Sequence, residues 1–291
     1  MERVGNRPNN SSRRWPRREY NGNILQRCFG IASPMTSKTY IPWRTTYDPA
    51  RWKAKRRVLR FALRTVGFPL LARMGKVEGV ERVPREGRVI LMFNHIAFID
   101  PIAVLHACPR DAVPMMKAEA LAFPFIGYLP RWWGVVPIWR GEVDLLAIRQ
   151  SLAVLEAEEP LLIAPEGTRS NSLLRGKLGM AYLAARAQAP VVPVAVEGTQ
   201  GFPTWPLSPR WWGEKVSIRF GRPFRFTVAR RNPNRRLLQQ MTDEAMYILA
   251  AMLPPHRRGY YADLSRATRH TIRWLDEDSV EEPQPLRPVL K

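Results

Sequence analysis

A chain of 291 residues that is 45% hydrophobic can bury a large core, and its formal net charge of +21 implies an anionic partner: nucleic acid, anionic lipid or a phosphorylated small molecule. Its cysteines, Cys28 and Cys108, belong to no Cys-x-x-Cys pair or Cys/His cluster, which argues against a disulfide framework and a structural zinc site and for a reducing, cytosolic setting. The sequence has no uninterrupted apolar run of about 18 to 20 residues, so no simple membrane-spanning helix is expected.

In chain order, residues 1–34 set Arg3, Arg7, Arg13, Arg14, Arg17 and Arg18 among Asn, Ser and Pro, without the apolar centre of a signal peptide. Residues 1–48 are read as a basic, disordered arm, with Met35 an alternative start. From 51 to 67 the pattern is helical: Lys53, Arg57, Arg60 and Arg64 recur along one side, and Trp52, Leu59, Leu63 and Val66 along another. A basic amphipathic helix suits the headgroup region of an anionic membrane, so 49–75 is expected to lie on a membrane surface. The bland alternative is a surface helix with a solvated charged face.

From residue 76, short β-rich runs alternate with helical patterns. Strands are expected at 88–93, 112–116, 134–138, 161–164, 191–196 and 215–220. Helices are expected around Leu145, Ile148, Leu152 and Leu155, around Leu178, Tyr182 and Ala185, and at 234–253. This alternation predicts a layered α/β domain over 76–255, with a mixed, largely parallel sheet flanked by helices. Residues 256–291 turn polar and acidic and read as a tail.

In such a sheet, functional groups gather where strands end. After the strand at 88–93 comes Asn94-His95, with Asp100 five positions beyond the histidine. A carboxylate that orients an imidazole makes a general base. No Gly-x-Ser-x-Gly motif accompanies the pair, so it is expected to activate a substrate hydroxyl directly. Taken alone, the string is better read as a strand-end histidine bonded to a helix-capping aspartate, with Pro101 at the first helical position. The run Ala164-Pro165-Glu166-Gly167-Thr168-Arg169-Ser170 follows another strand; Arg169 suits a phosphate, supported by Thr168, and Glu166 suits holding Arg169 or accepting from a substrate hydroxyl. Arg140 ends the block 134–141, Glu197-Gly198-Thr199 ends the block 191–199, and Lys117 ends the strand at 112–116. Parallel strands would bring these ends to one cleft.

Taken together, the blocks 94–100, 134–141, 165–170 and 191–199 resemble, in order and spacing, the glycerolipid acyltransferase family typified by 1-acylglycerol-3-phosphate acyltransferase. The resemblance covers roughly residues 76–225. It implies an acyl thioester donor, acyl-CoA or acyl carrier protein, a lysophosphatidic acid-like acceptor and an anionic membrane surface as partner. It also implies that His95 is the base, Asp100 its orienter, and Arg140, Glu166, Gly167 and Arg169 the acceptor-binding residues. Lys117 or a backbone amide near Gly141 or Gly167 is expected to meet the oxyanion. No metal or cofactor is expected beyond the co-substrate, and the expected location is the cytoplasmic face of the cell membrane, peripheral or monotopic. Ala97 and Trp139 depart from the family pattern on the acceptor side. The rival from another class, a basic nucleic-acid-binding protein, lacks any zinc-finger or RNA-recognition signature, and no nucleic acid is expected.

Overall fold

Val89–Phe93 is a run of five apolar residues, all buried, and forms the strand β2 at the middle of the sheet. Burying each such side chain contributes about 1.5 to 3 kcal/mol. The computed structural model describes residues 47–122, 127–139, 144–200, 215–228 and 233–277. The other strands are β1 (Arg73–Glu78), β3 (Val113–Lys117), β4 (Val136–Ile138), β5 (Pro160–Ile163), β6 (Val191–Glu197), β7 (Lys215–Phe220), β8 (Phe224–Phe226) and β9 (Ile272–Trp274). Their order is β1-β7-β6-β2-β5-β3-β4, with β8 paired to both β6 and β9. β2 runs parallel to β5 and β6, and β3 parallel to β5 and β4, so these five strands end on one edge. β7 returns antiparallel to β6 and carries β1 parallel to itself. The expected mixed, largely parallel sheet is therefore the observed one.

Alternation along the strands feeds two cores. Ile90, Met92, Leu161 and Ile163 face one layer, which includes residues of α5 (Leu145–Glu156), α6 (Gly179–Ala187) and α7 (Arg235–Met252). Val89, Leu91, Phe93 and Leu162 face the other, with α3 (Asp100–Ala107) and Phe68. Helix starts follow capping chemistry: Asp144 accepts from the Ala147 amide at 2.9 Å to begin α5, and Asn234 accepts from the Leu237 amide at 2.9 Å to begin α7.

The segment expected at 51–67 is α1 (Pro49–Ala62), begun by the Asp48 cap. It passes through a π turn at Leu63–Gly67 into α2 (Phe68–Leu71), so Gly67 does not interrupt it. Its faces differ from expectation. Arg56 is fully buried: its Nε donates to the Trp133 carbonyl at 2.8 Å, and its Nη1 bonds the Tyr47 hydroxyl and the Glu159 carboxylate at 2.8 and 2.5 Å. Trp133 belongs to α4 (Tyr128–Trp133), and Trp52 lies beneath the turn after α4, where a Cβ on Gly134 would come within 2.7 Å of its ring. Half of the expected basic stripe also serves docking. Arg60 bonds the Pro109 carbonyl and Asp111, and Arg64 bonds the His106 and Cys108 carbonyls. Solvent instead meets Val58, Phe61 and Val66, with Arg51, Lys53, Lys55 and Arg57 among them.

Two boundaries need correction. β1 begins at Arg73, inside the segment read as helical, because this edge strand carries a half-exposed pattern without a β-rich run. The supposed tail from 256 is part of the domain as far as Glu277. Tyr261 is fully buried and donates its hydroxyl to Asp243 at 2.8 Å, while accepting from the Gly176 amide at 3.0 Å. Thr268, His270 and Thr271 converge on the Glu244 carboxylate, and β9 extends the sheet through β8. Burial pushes Glu244 up, but hydrogen bonds from Thr271, Gln240 and Thr268 outweigh it and hold the carboxyl below the usual range. Polar composition concealed this segment, in which Thr268, His270 and Thr271 bond Glu244 of α7 while most other polar side chains meet solvent.

Compared with a chain ending at Glu277, one ending at Pro255 is expected to lose on the order of 5 kcal/mol, lowering its Tm by on the order of 10 to 20 °C. Coincident thermal unfolding curves for the two would show that 256–277 contributes nothing to the fold.

Candidate active site

The turn after β2 is built around one carboxylate. Asp100 has no exposed surface, and its Oδ2 takes the His95 Nδ1 at 2.9 Å and the amides of Ile96 and Ala97 at 2.5 and 2.7 Å. These three bonds offset the desolvation of the carboxylate. Asp100 does not cap α3: the side chain points back into the turn, and the residue at the cap position is Ile99. The helix-capping alternative therefore fails on geometry. With Nδ1–H given to Asp100, Nε2 of His95 is left to accept a proton, and the imidazole side chain is partly open, at 18% exposure.

The loop at 164–170 is strapped to the same histidine by both of its backbone groups. His95 N donates to Glu166 Oε1 at 3.2 Å, and Ser170 N donates to the His95 carbonyl at 2.8 Å. The other oxygen of Glu166 accepts from Leu174 N at 2.8 Å. The Glu166 carboxylate, expected to hold Arg169 or to meet a substrate hydroxyl, is thus buried and spent on two backbone amides of different loops. Burial pushes this carboxyl up to about 7; the Leu174 and His95 amides oppose the rise and the charge of Asp100 adds to it. Gly167 takes a positive φ of 67° at the tip of this turn, and its amide is held by the Ala164 carbonyl at 3.0 Å. That bond removes Gly167 N–H from the expected oxyanion donors. Thr168 is half-buried beside it, and Arg169 is exposed.

A third strand end is locked in by a residue the sequence reading quoted but left without a role. Asn94, nearly buried, donates to the Val196 carbonyl at 2.9 Å and accepts from the Val196 amide at 2.8 Å, tying the His95 turn to β6. The signal for it was an amide side chain at the end of an otherwise apolar strand. Glu197, next along β6, faces Arg257 at 3.7 Å, and burial raises its carboxyl above the ordinary range while Arg257 opposes the shift. Arg257 also donates to the Asn171 carbonyl at 2.6 Å, and Leu173 exchanges backbone bonds with Arg257 and Tyr260. The C-terminal segment thereby braces the loop that carries Arg169.

The remaining expected residues fall less closely together. Lys117 ends β3, two strands from β2 and so about 10 Å away in the sheet, and its ammonium pairs with Glu119 at 3.5 Å. Arg140 and Gly141 lie outside the described residues. What the described site offers is a base with a set tautomer, a rigid glycine turn beside it, and cations on the loop that follows.

Comparison with known proteins finds similarity over the part of the chain that carries this site. Residues 75–197 match the family model described as Acyltransferase. The chain is 29% identical over 132 residues to the 1-acyl-sn-glycerol-3-phosphate acyltransferase alpha of Ovis aries, covering 44% of this chain and 46% of the relative. It is 28% identical over 134 residues to the 1-acyl-sn-glycerol-3-phosphate acyltransferase of Borreliella burgdorferi, covering 43% and 52%. It therefore spans about half the length of these curated relatives. The crystal structure of PlsC, the 1-acyl-sn-glycerophosphate acyltransferase from Thermotoga maritima, is similar at a TM-score of 0.49 and 22% identity, over 67% of this chain and 80% of that one. The matched segment contains β2 with the His95–Asp100 turn, β5 with the loop at 164–170, and β6, and it is over this segment that the chain is similar to the acyltransferase family.

Proposed function

We propose that the protein moves a fatty acyl group from an acyl thioester, acyl-CoA or acyl carrier protein, to the free hydroxyl of 1-acylglycerol-3-phosphate, giving phosphatidic acid. The observation that carries this reading is the 2.9 Å bond from His95 Nδ1 to the buried Asp100, with Nε2 left to accept and no serine or cysteine nucleophile motif beside it. In the reaction Nε2 takes the hydroxyl proton as the acceptor oxygen attacks the thioester carbonyl carbon. Asp100 stabilises the imidazolium. The tetrahedral intermediate then collapses, the carbon–sulfur bond breaks, and the imidazolium returns its proton to the departing thiolate. A thioester is activated enough that a base and good positioning suffice without a cofactor. The names carried by the relatives favour a phosphorylated lysolipid as acceptor, and so does the cationic loop following the Glu166–Gly167 turn. Lys117 would serve the oxyanion only by leaving its pair with Glu119.

The membrane part of the reading rests on α1. Among the described residues no helix is long and apolar enough to cross a membrane. Phe61 is 70% exposed, and with Val58 and Val66 it forms an apolar stripe amid exposed basic residues. That surface suits the headgroup region of an anionic leaflet, with the protein peripheral on the cytoplasmic face.

A panel of lysolipid acceptors with one acyl-CoA, read by mass spectrometry of the products, tests the acceptor. 1-Acylglycerol-3-phosphate is expected to be acylated and the matching monoacylglycerol to be a poor substrate; equal rates would defeat the acceptor assignment and leave acyl transfer standing.

For the membrane, Lys53→Glu with Arg57→Glu is expected to release the protein from anionic vesicles, since each basic residue near such a surface contributes roughly 1 kcal/mol. Changes at Arg60 or Arg64 should instead lower thermal stability, because those side chains hold α1 to the domain. Vesicle binding indifferent to the double reversal and to salt would place the membrane contact elsewhere.

A further inference from the structure

Lys177 lies outside the four sequence blocks, in the stretch between the Arg169 loop and α6. The fold returns it to the Glu166–Gly167 turn that is strapped to His95. Its amide donates to the Pro165 carbonyl at 2.8 Å, so the backbone at 177 is fastened to the start of the Glu166–Gly167 turn. Its side chain then lies across that turn. A Cβ placed on Gly167 would fall 2.8 Å from Lys177 Nζ and 3.0 Å from both Cδ and Cε. The positive φ favours glycine at 167, and a Cβ there would have to displace the end of the lysine side chain.

The charges around this ammonium narrow its purpose. Each carboxylate beside the site already has partners: Asp100 on the imidazole and two amides, Glu166 on the His95 and Leu174 amides, and Glu197 facing Arg257. Lys177 and Arg169 form no ion pair among the described residues, and both are exposed to an incoming ligand. A lysine whose side chain lies over a glycine turn, with no ion pair of its own among the described residues and with that turn strapped to both backbone groups of the general base, is arranged to meet an anion brought by the substrate.

We propose that Lys177 binds the phosphate of the acceptor and thereby sets the enzyme's preference for phosphorylated lysolipids. This rests on the acyl-transfer reading above. Two substrates bring phosphate, the acceptor and a CoA donor, and their chemistry separates them. In a lysophosphatidic acid the phosphate is carried on the carbon next to the one bearing the attacking hydroxyl, so a hydroxyl at His95 forces the phosphate close to the Gly167 turn. In acyl-CoA the phosphates sit at the far end of the pantetheine arm from the thioester. A compact ammonium on the loop that flanks His95 fits the acceptor.

The test measures steady-state KM and kcat for parent, Lys177→Ala and Lys177→Arg with 1-acylglycerol-3-phosphate, with the matching monoacylglycerol, and with acyl-CoA varied separately. Lys177→Ala is expected to raise KM for the phosphorylated acceptor about ten- to a hundredfold, the scale of one charge-assisted hydrogen bond, with KM for acyl-CoA unchanged. Lys177→Arg should recover part of the loss. Activity on the monoacylglycerol, where measurable, should not change. Gly167→Ala, which displaces the lysine stem, should reproduce the acceptor effect in a protein whose thermal unfolding confirms that it is folded. If the parent prefers the phosphorylated acceptor but Lys177→Ala leaves its KM unchanged, Lys177 is not the phosphate ligand. A rise confined to acyl-CoA would likewise overturn the assignment by giving the charge to the donor. If the parent acylates both acceptors equally, the acceptor reading itself fails, an outcome separate from either of these.

Discussion

Asp100 is an ionisable side chain with no exposed surface, and the three bonds to its Oδ2 hold the active-site turn in shape. A carboxylate in that position would cost several kcal/mol if it were unpaired. Its partners on Oδ2 offset that cost, and in doing so they settle the imidazole's tautomer and direction. The turn carrying His95 is then fixed against its neighbours by buried side chains that bond to backbone and by one backbone pair. Asn94 pairs with Val196 on β6, and the amide and carbonyl of His95 pair with Glu166 and Ser170 of the loop after β5. These ties are possible because β2, β5 and β6 are parallel neighbours and end on the same edge.

The rest of the chain supports this edge from further out. The C-terminal segment reaches the stretch that follows Arg169 through Arg257, Tyr260 and Tyr261, and its own position depends on the buried Glu244 of α7. On the opposite layer, α1 is fixed by Arg56 to the turn after α4 and by Arg60 and Arg64 to the loop after α3. Arg56, Arg60 and Arg64 would each count as free positive charge in the net +21, yet each is engaged in holding the fold. The exposed face of α1 is therefore narrower in charge and more apolar than the composition implies.

Legibility in the sequence followed physical cause. The strands at 89–93, 113–117, 160–163, 191–197 and 215–220 were readable because fully or alternately buried strands leave continuous or alternating apolar runs. The edge strand β1 and the three-residue strands β8 and β9 leave no such trace: their identity depends on which neighbours they meet. His95 and Asp100 were legible as a pair because two polar groups at the end of a buried strand demand a reason. Glu166 was legible as important but not in its role, since sequence alone does not tell a carboxylate that binds backbone amides from one that meets substrate. Arg60 and Arg64 were assigned to the membrane because helical periodicity tells which residues share a face, not what that face meets. Lys177 was missed because its proximity to Gly167 arises only when the chain folds back between the loop at 164–170 and α6.

The central claim is that an Asp100-oriented His95 is the general base of acyl transfer. The most direct measurement is the single-turnover rate of purified His95→Ala, confirmed as folded, with acyl-CoA and 1-acylglycerol-3-phosphate across pH. Removing a positioned base should slow the chemical step by about 10²- to 10⁴-fold, and Asp100→Asn should slow it as well through the wrong tautomer. Chemical steps in both variants that match the parent would contradict the account.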